Sequence, residues 1–263
     1  MHCSFCHGHS RPPKRMSGEE FSRVLDALSG QTEYLYYHLM GEPLTHPRLY
    51  EFIGEATQKG FRSVITTNGT LLPKMGDALI AARPHKVSIS VHSLESKYID
   101  FDRYMTGVTE FACAAADSGI IVVLRLWNRG FDGGLNHKVV GFLKDNIEGC
   151  WTENTRGIRI RDKLHLEWGE RFEWPDTQAE LQGEEVFCYG LRDHFGILCN
   201  GTVVPCCLDS EGVINLGNVF TQDLSEILSS PRAKAILEGF SNRRAAEELC
   251  KRCGYAQRFS LGK

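Results

Sequence analysis

Along the first part of the chain the apolar positions fall into short β-rich runs that alternate with longer amphipathic ones. The runs at 34–39, 62–66, 86–91 and 120–126 are rich in aromatic and β-branched residues and read as strands, with a shorter one at 157–161. Between them, apolar residues recur with helical spacing over 49–59, 74–82, 108–117 and 137–146, the first of these closed by Gly60. Successive strands are separated by enough chain for a helical crossover, so they are expected to lie parallel with right-handed connections. Such a series closes, wholly or in part, into a (β/α) barrel whose chemistry sits at the C-terminal ends of the strands. An open doubly wound sheet is the competing arrangement, and periodicity does not separate the two.

The polar residues gather at those strand ends. Gly41, Glu42 and Pro43 follow the first run, and Thr67, Asn68 and Gly69 the second. Ser88, Ser90 and His92 mark the third, Arg125 and Asn128 the fourth. Any one of these groups reads as a turn or a helix cap; four on one rim read as a ligand pocket. From 151 to 185 the period is lost, and the text becomes charged around Trp168, Trp174 and Pro175, with one further strand expected at 163–167. The tail from Cys188 is compact, with a hairpin signal at 197–204 that turns at Asn200-Gly201. A short helix is expected near 224–228, and a second starts at Ser230-Pro231 and runs to about Phe240. The expected division is therefore a barrel domain over 1–162, a bridge over 163–187 and a cysteine-rich α+β module over 188–263.

Composition narrows the class. With 42% hydrophobic residues, 24% charged residues and a net charge of -3, the chain reads as globular and carries no electrostatic footprint for nucleic acid. Its most apolar stretch, 120–127, is short and broken by Arg125, so no membrane-spanning segment is expected. The opening residues show no secretory signal, and the expected location is the cytoplasm. Ten cysteines in such a chain point to metal binding or redox chemistry rather than disulfides. They cluster at the two ends: Cys3 and Cys6, then Cys188, Cys199, Cys206, Cys207, Cys250 and Cys253. Of the two in the middle, Cys113 sits in an Ala-rich helical stretch and reads as core, whereas Cys150 has no evident partner.

Cys3-Ser4-Phe5-Cys6, followed by Gly41-Glu42-Pro43 at a strand end, resembles the radical S-adenosylmethionine (SAM) superfamily. The family's signature is three cysteines, C-x-x-x-C-x-φ-C with φ aromatic, whose thiolates hold three irons of a four-iron cluster. The resemblance implies a barrel [4Fe-4S] cluster with Cys3 and Cys6 as its second and third ligands. It implies a SAM site with Phe5 near the adenine and Gly41-Glu42-Pro43 toward the amino group. Thr67 and Asn68 belong to the same rim, with Ser90 and His92 toward the ribose and Arg125 toward the carboxylate. The first cysteine of the triad falls upstream of Met1, so the chain is expected to lack an N-terminal segment that includes the family's first strand. The fold implied is a partial (β/α)6 TIM-like barrel.

The tail resembles a SPASM or twitch module on separate residues. Cys188, twelve residues, Gly201, four residues and Cys206 match the opening of that pattern, and Cys250-Lys251-Arg252-Cys253 supplies its close pair. With no cysteine beyond Cys253, the resemblance is to the shorter twitch form. It implies one auxiliary [4Fe-4S] cluster on Cys188, Cys206, Cys250 and Cys253, with Cys207 as a substitute for Cys206. The family reading implies hydrogen abstraction from a small molecule or a peptide, and an electron donor such as a flavodoxin or ferredoxin. Candidate bases for an oxidation are Glu167, Glu170 and Arg125. Two readings compete: a zinc knot on the same four tail cysteines, and a binding protein that keeps the barrel without its SAM cluster.

Overall fold

The computed structural model describes residues 6–8, 10–95 and 99–259. The chain divides into two units, Met1–Cys6 with Thr32–Arg171 and His7–Gln31 with Phe172–Lys263. The first helix, α1 (Gly18–Leu28), belongs to the second unit and was not expected from the apolar spacing. Its signal is a capping box: Ser17 accepts from the Glu20 backbone N–H, and the Glu20 carboxylate accepts from that of Ser17. Phe21, Val24, Leu25 and Leu28 are the stripe it buries.

The first unit is an α/β sheet of seven strands. In chain order it runs β1 (Tyr34–Tyr36), α2 (Leu49–Gln58), β2 (Arg62–Thr67), α3 (Leu72–Ala82) and β3 (Lys86–Ser90). It continues with α4 (Phe101–Asp117), β4 (Ile121–Arg129), α5 (Leu135–Asn146), β5 (Thr152–Asn154), β6 (Gly157–Arg161) and β7 (Leu164–Glu170). The strand order is β1-β2-β3-β4-β7-β6-β5, and β1 to β4 with β7 are mutually parallel. This is the mostly parallel partial barrel the pattern anticipated. The expectation of parallel pairing fails for the strand at 157–161, because β6 is antiparallel to both its neighbours. The reason is length: only two residues link β5 to β6 and β6 to β7, too few for a crossover. Asn154 Oδ1 closes the first of these turns by accepting from the backbone N–H groups of Arg156 and Gly157. The strand expected inside the bridge is β7, a full member of the sheet beside β4, and the unit boundary falls after Arg171 rather than at 163.

Alternation along the strands splits the sheet into two chemically different faces. Ile65, Val87, Ile89, Val122, Leu124, Leu126, Leu164 and Leu166 point to the helices, where they join Ile53, Leu79, Met105, Val108, Ala112, Val139 and Leu143 in one buried core. Cys113 packs against this core, as its setting suggested. A fully buried side chain of this kind contributes about 1.5–3 kcal/mol. The opposite, inner face presents Tyr36, His38, Thr66, Lys86, Ser88, Ser90, Arg125, His165 and Glu167 at the alternate positions.

The second unit adds a small antiparallel sheet, β8 (Gly196–Ile197), β9 (Thr202–Val204) and β10 (Gly217–Asn218), in the order β10-β9-β8. The hairpin turns at Asn200-Gly201; Gly201 has φ +85°, and a Cβ there would meet Asn218 Oδ1 at 2.5 Å. Then come α6 (Leu224–Leu228), α7 (Pro231–Ser241) and α8 (Glu248–Lys251). Ser230 caps α7 by accepting from the Ala233 backbone N–H, with Pro231 in the first turn.

Replacing Ser17 by Ala removes one side of the capping box and should cost about 1 kcal/mol. Chemical denaturation compared with Ser17→Thr, which keeps the hydroxyl, checks it.

Candidate functional site

The ends of β1 and β2 are joined by one carboxylate. Glu42 Oε1 accepts from the Thr67 hydroxyl at 2.8 Å and from the Leu44 backbone N–H at 3.1 Å; Oε2 accepts from the Asn68 backbone N–H at 2.8 Å. Burial pushes the Glu42 pKa above the usual carboxylate value, and the hydrogen bonds from Asn68, Thr67 and Leu44 oppose that rise. The carboxylate also caps the short 3-10 turn Pro43–Thr45, with Pro43 in its first position. Gly41 takes φ +104° with nothing within 4 Å of an added Cβ, so glycine is needed there for backbone conformation rather than for room. Behind the second strand end, Tyr104 Oη and Ser93 Oγ donate to the Asn68 carbonyl at 2.8 and 3.0 Å. The Asn68 side chain accepts from the Thr70 backbone and hydroxyl. Glu42, Thr67 and Asn68 are thus brought together, each occupied in fixing the rim.

On the neighbouring strands, Ser90 and Arg125 are direct partners in the β3–β4 register. The Arg125 guanidinium lies 3.5 Å from the centre of a Trp127 ring. Room for that ring comes from Gly169, where a Cβ would stand 2.7 Å from Trp127 Cδ1. His92 lies in the short turn Val91–Glu95, its Nδ1 3.0 Å from the Arg125 carbonyl oxygen, so one side of its ring is tied to the backbone of β4. Burial is the main cause of its lowered pKa. Cys6 is exposed, its Sγ 4.0 Å from Met40 Sδ, next to the Gly41-Glu42-Pro43 turn. Cys3 and Phe5 lie outside the described residues.

The residue that sequence reasoning passed over is His38. It follows β1 on the inner face, its Nδ1 is buried and makes no hydrogen bond, and its pKa is lowered to about 4 by burial and then by the Arg125 charge. The signal was period two: Tyr34, Tyr36 and His38 alternate with the core-facing Leu35 and Tyr37.

In the second unit, turns rather than long elements bring the cysteines together. Cys188 lies before β8, its Sγ accepting from the Gly190 backbone N–H. Cys206 follows β9; the Leu191 backbone N–H donates to the Pro205 carbonyl, and the site of a Cβ at Gly190 is 3.7 Å from Cys206 Cβ. Cys250 lies in α8 and Cys253 two residues past it, with the Cys253 backbone N–H donating to the Cys250 carbonyl. Burial raises the pKa of all four thiols. Cys206 is pushed well up, with Cys207, Cys250 and Cys188 adding to the effect, and Cys250 is raised further by Cys188 and Cys253. Cys207 also bears on Cys253, so five thiols, rather than the four expected, share one neighbourhood.

Two family models match the chain: the radical SAM superfamily over residues 1–117, and an iron-sulfur cluster-binding domain, SPASM, over 188–254. Residues 1–117 thus match a radical SAM domain and residues 188–254 a SPASM domain. Among curated relatives, it is 30% identical over 121 residues to an AdoMet-dependent heme synthase of Methanosarcina barkeri, covering 44% of this chain and 35% of that protein. It is 24% identical over 276 residues to a GTP 3',8-cyclase of Microcystis aeruginosa, covering 87% and 82%. The matches to two heme synthases span about a third of those proteins' lengths, 35% and 30%. Among solved structures, anSMEcpe with bound AdoMet aligns with a TM-score of 0.60 at 14% identity, over 100% of this chain and 87% of that one. BtrN in complex with AdoMet and 2-DOIA aligns with a TM-score of 0.57 at 16% identity, over 92% and 82%. At such identities these two show the fold alone.

Radical SAM domains use SAM and a [4Fe-4S] cluster, and the SPASM domain is of an iron–sulfur-binding kind. The thiols of the second unit fit the iron–sulfur group. A part-buried group of thiols destabilises its own thiolates unless cations compensate them, which is what cluster iron does. At the rim, the unmet Nδ1 of His38 is a polar atom that a bound polar ligand would complete.

Glu42→Ala removes three hydrogen bonds to a half-buried carboxylate and should cost about 2–4 kcal/mol. Thr67→Val, which removes one donor to it, should cost less than half as much; equilibrium denaturation of both variants measures this. His38 supplies a pH test. Its folded pKa lies below the unfolded value, so the unfolded chain binds the extra proton between about pH 4 and 6.5, and stability rises with pH across that window. Melting temperatures from pH 4 to 7 should show a shallower rise in His38→Gln than in the parent.

Proposed function

We propose that this chain is a radical SAM enzyme that abstracts a hydrogen atom from an organic substrate, a small molecule or a peptide, and carries one auxiliary [4Fe-4S] cluster of the twitch kind. The observation that carries the reading is the coincidence of the 188–254 iron-sulfur match with the shared thiol group at Cys188, Cys206, Cys250 and Cys253. When bound and reduced, the barrel cluster with SAM supplies a 5'-deoxyadenosyl radical. The chain's own residues hold and orient. Cys3 and Cys6 provide cluster thiolates, and Phe5, Gly41, Pro43, Ser90, His92 and Arg125 surround SAM. Glu42, Thr67 and Asn68 fix the rim from behind. BtrN with 2-DOIA and Streptococcus suis SuiB with the precursor peptide SuiA support a small molecule and a peptide respectively as substrate classes. We take a flavodoxin or ferredoxin as electron donor and the cytoplasm as location; no helix among the described residues is long and apolar enough to cross a membrane.

Anaerobic reconstitution with iron and sulfide tests the reading. Cys250→Ala combined with Cys253→Ala should lose about four irons per chain relative to the parent while SAM binding persists. Cys3 and Cys6 are two of the three triad thiolates, so reduction with SAM should release 5'-deoxyadenosine from a form that supplies the third. If the chain takes up zinc in place of iron and leaves SAM intact, the radical reading is lost and a metal-stabilised binding protein takes its place.

A further inference from the structure

The inner face of the sheet holds a cavity of about 330 Å3 away from the Glu42 rim, lined by Lys86, Asn154, Thr155, Arg156, His165 and Glu167 together with apolar strand residues. Four of these side chains are titratable. None of the four makes a side-chain hydrogen bond or ion pair among the described residues. Lys86 is half-buried, and burial, with the charges of Arg125 and Arg156, pulls its pKa down; Glu167 alone opposes them. His165 is depressed by burial and then by Arg159 and Lys86, with Glu167 and Asp162 opposing. Asp162 is already engaged, 3.2 Å from Arg159. The local balance is therefore positive, in a chain whose net charge is -3. A partly desolvated ammonium beside a guanidinium and an imidazole, with no direct partner, is held at a cost that a bound anion would relieve. The Thr155 hydroxyl adds an uncharged donor, and the antiparallel turn between β5 and β6 carries both Thr155 and Arg156 to the cavity.

We propose that this cavity is an oxyanion site, which takes a carboxylate or phosphate group of the substrate. The attribution to the substrate rests on the reading above; the site itself does not. Its chemistry is electrostatic and bidentate-capable, with Arg156 as the fork and Lys86 as the point charge.

The test needs neither iron nor SAM, so its outcome is separate from that of the radical reading. The full chain is titrated with inorganic phosphate and, in parallel, with succinate, at about 0.15 M salt, where charges screen over about 8 Å. The His165 ring resonances, assigned from the His165→Gln spectrum, report binding. We expect a saturable shift with at least one probe, phosphate alone marking a phosphorylated ligand and succinate alone a carboxylate. Arg156→Gln, on an exposed turn, and Lys86→Met should each weaken binding roughly five-fold. Glu167→Gln should tighten it, because it removes the one competing anion. No saturable shift with either probe, indifference to Arg156→Gln, or weaker binding in Glu167→Gln overturns the proposal.

Discussion

The Glu42 carboxylate is the constraint on which the rim depends. It stands at the end of β1 and takes its hydrogen bonds from the end of β2 and from the turn that follows β1, so one side chain sets where two parallel strands stop relative to each other. Parallel strands have no hairpin to fix their ends; register comes from the ladder and from whatever ties the loops. The backbone answers to the same demand, with Gly41 at positive φ beside the carboxylate and Gly69 at φ +81° beside its donors. An added Cβ at Gly69 would stand 2.8 Å from Tyr104 Oη, the group that fixes the Asn68 carbonyl from behind. Burial disfavours the charge on Glu42, and three donors keep it hydrogen-bonded nonetheless.

From that fixed rim the two faces of the sheet diverge in purpose. The helix-facing residues are aliphatic and close-packed, which gives the rigid base that a precise site needs. The inner face carries His38, Lys86, Ser88, Ser90, Arg125, His165 and Glu167, an unusual density of polar groups for a sheet interior. Such groups are retained where they have something to bind, because desolvation without partners is costly. The lowered pKa values of His38, Lys86 and His165 all trace first to that desolvation. In the second unit the same principle acts on sulfur: thiols gathered away from water resist ionisation until iron compensates them.

Much of this was legible in the chain as written. The alternation of β-rich and amphipathic runs, with polar residues at each strand end, placed β1 to β4 and their helices close to where they lie, because strand and helix periods follow from local geometry alone. Cys188, Gly201, Cys206, Cys250 and Cys253 pointed to the tail through their resemblance to the SPASM pattern. The helix over Gly18–Leu28 escaped because its evidence was a capping box rather than a flanking strand, and β7 was left in the bridge because the charged text around Trp168 hid its alternation. Chain direction also misled at β6, where the deciding fact was the two-residue turn and not the strand itself.

The sequence by itself determined which segments could be strands or helices, which face of each would be apolar, and which residue types stood ready for metal and ligand chemistry. These are local properties, fixed by side-chain period, turn chemistry and thiol count. Only the tertiary structure decided what those residues do for one another. It turned Glu42 toward Thr67 and Asn68, tied His92 to the backbone of β4, left His38 Nδ1 unmet, and folded the β5–β6 turn so that Arg156 reaches the cavity beside Lys86. Hydrogen-bond partnership and desolvation depend on neighbours distant in the chain, and no local pattern carries that information.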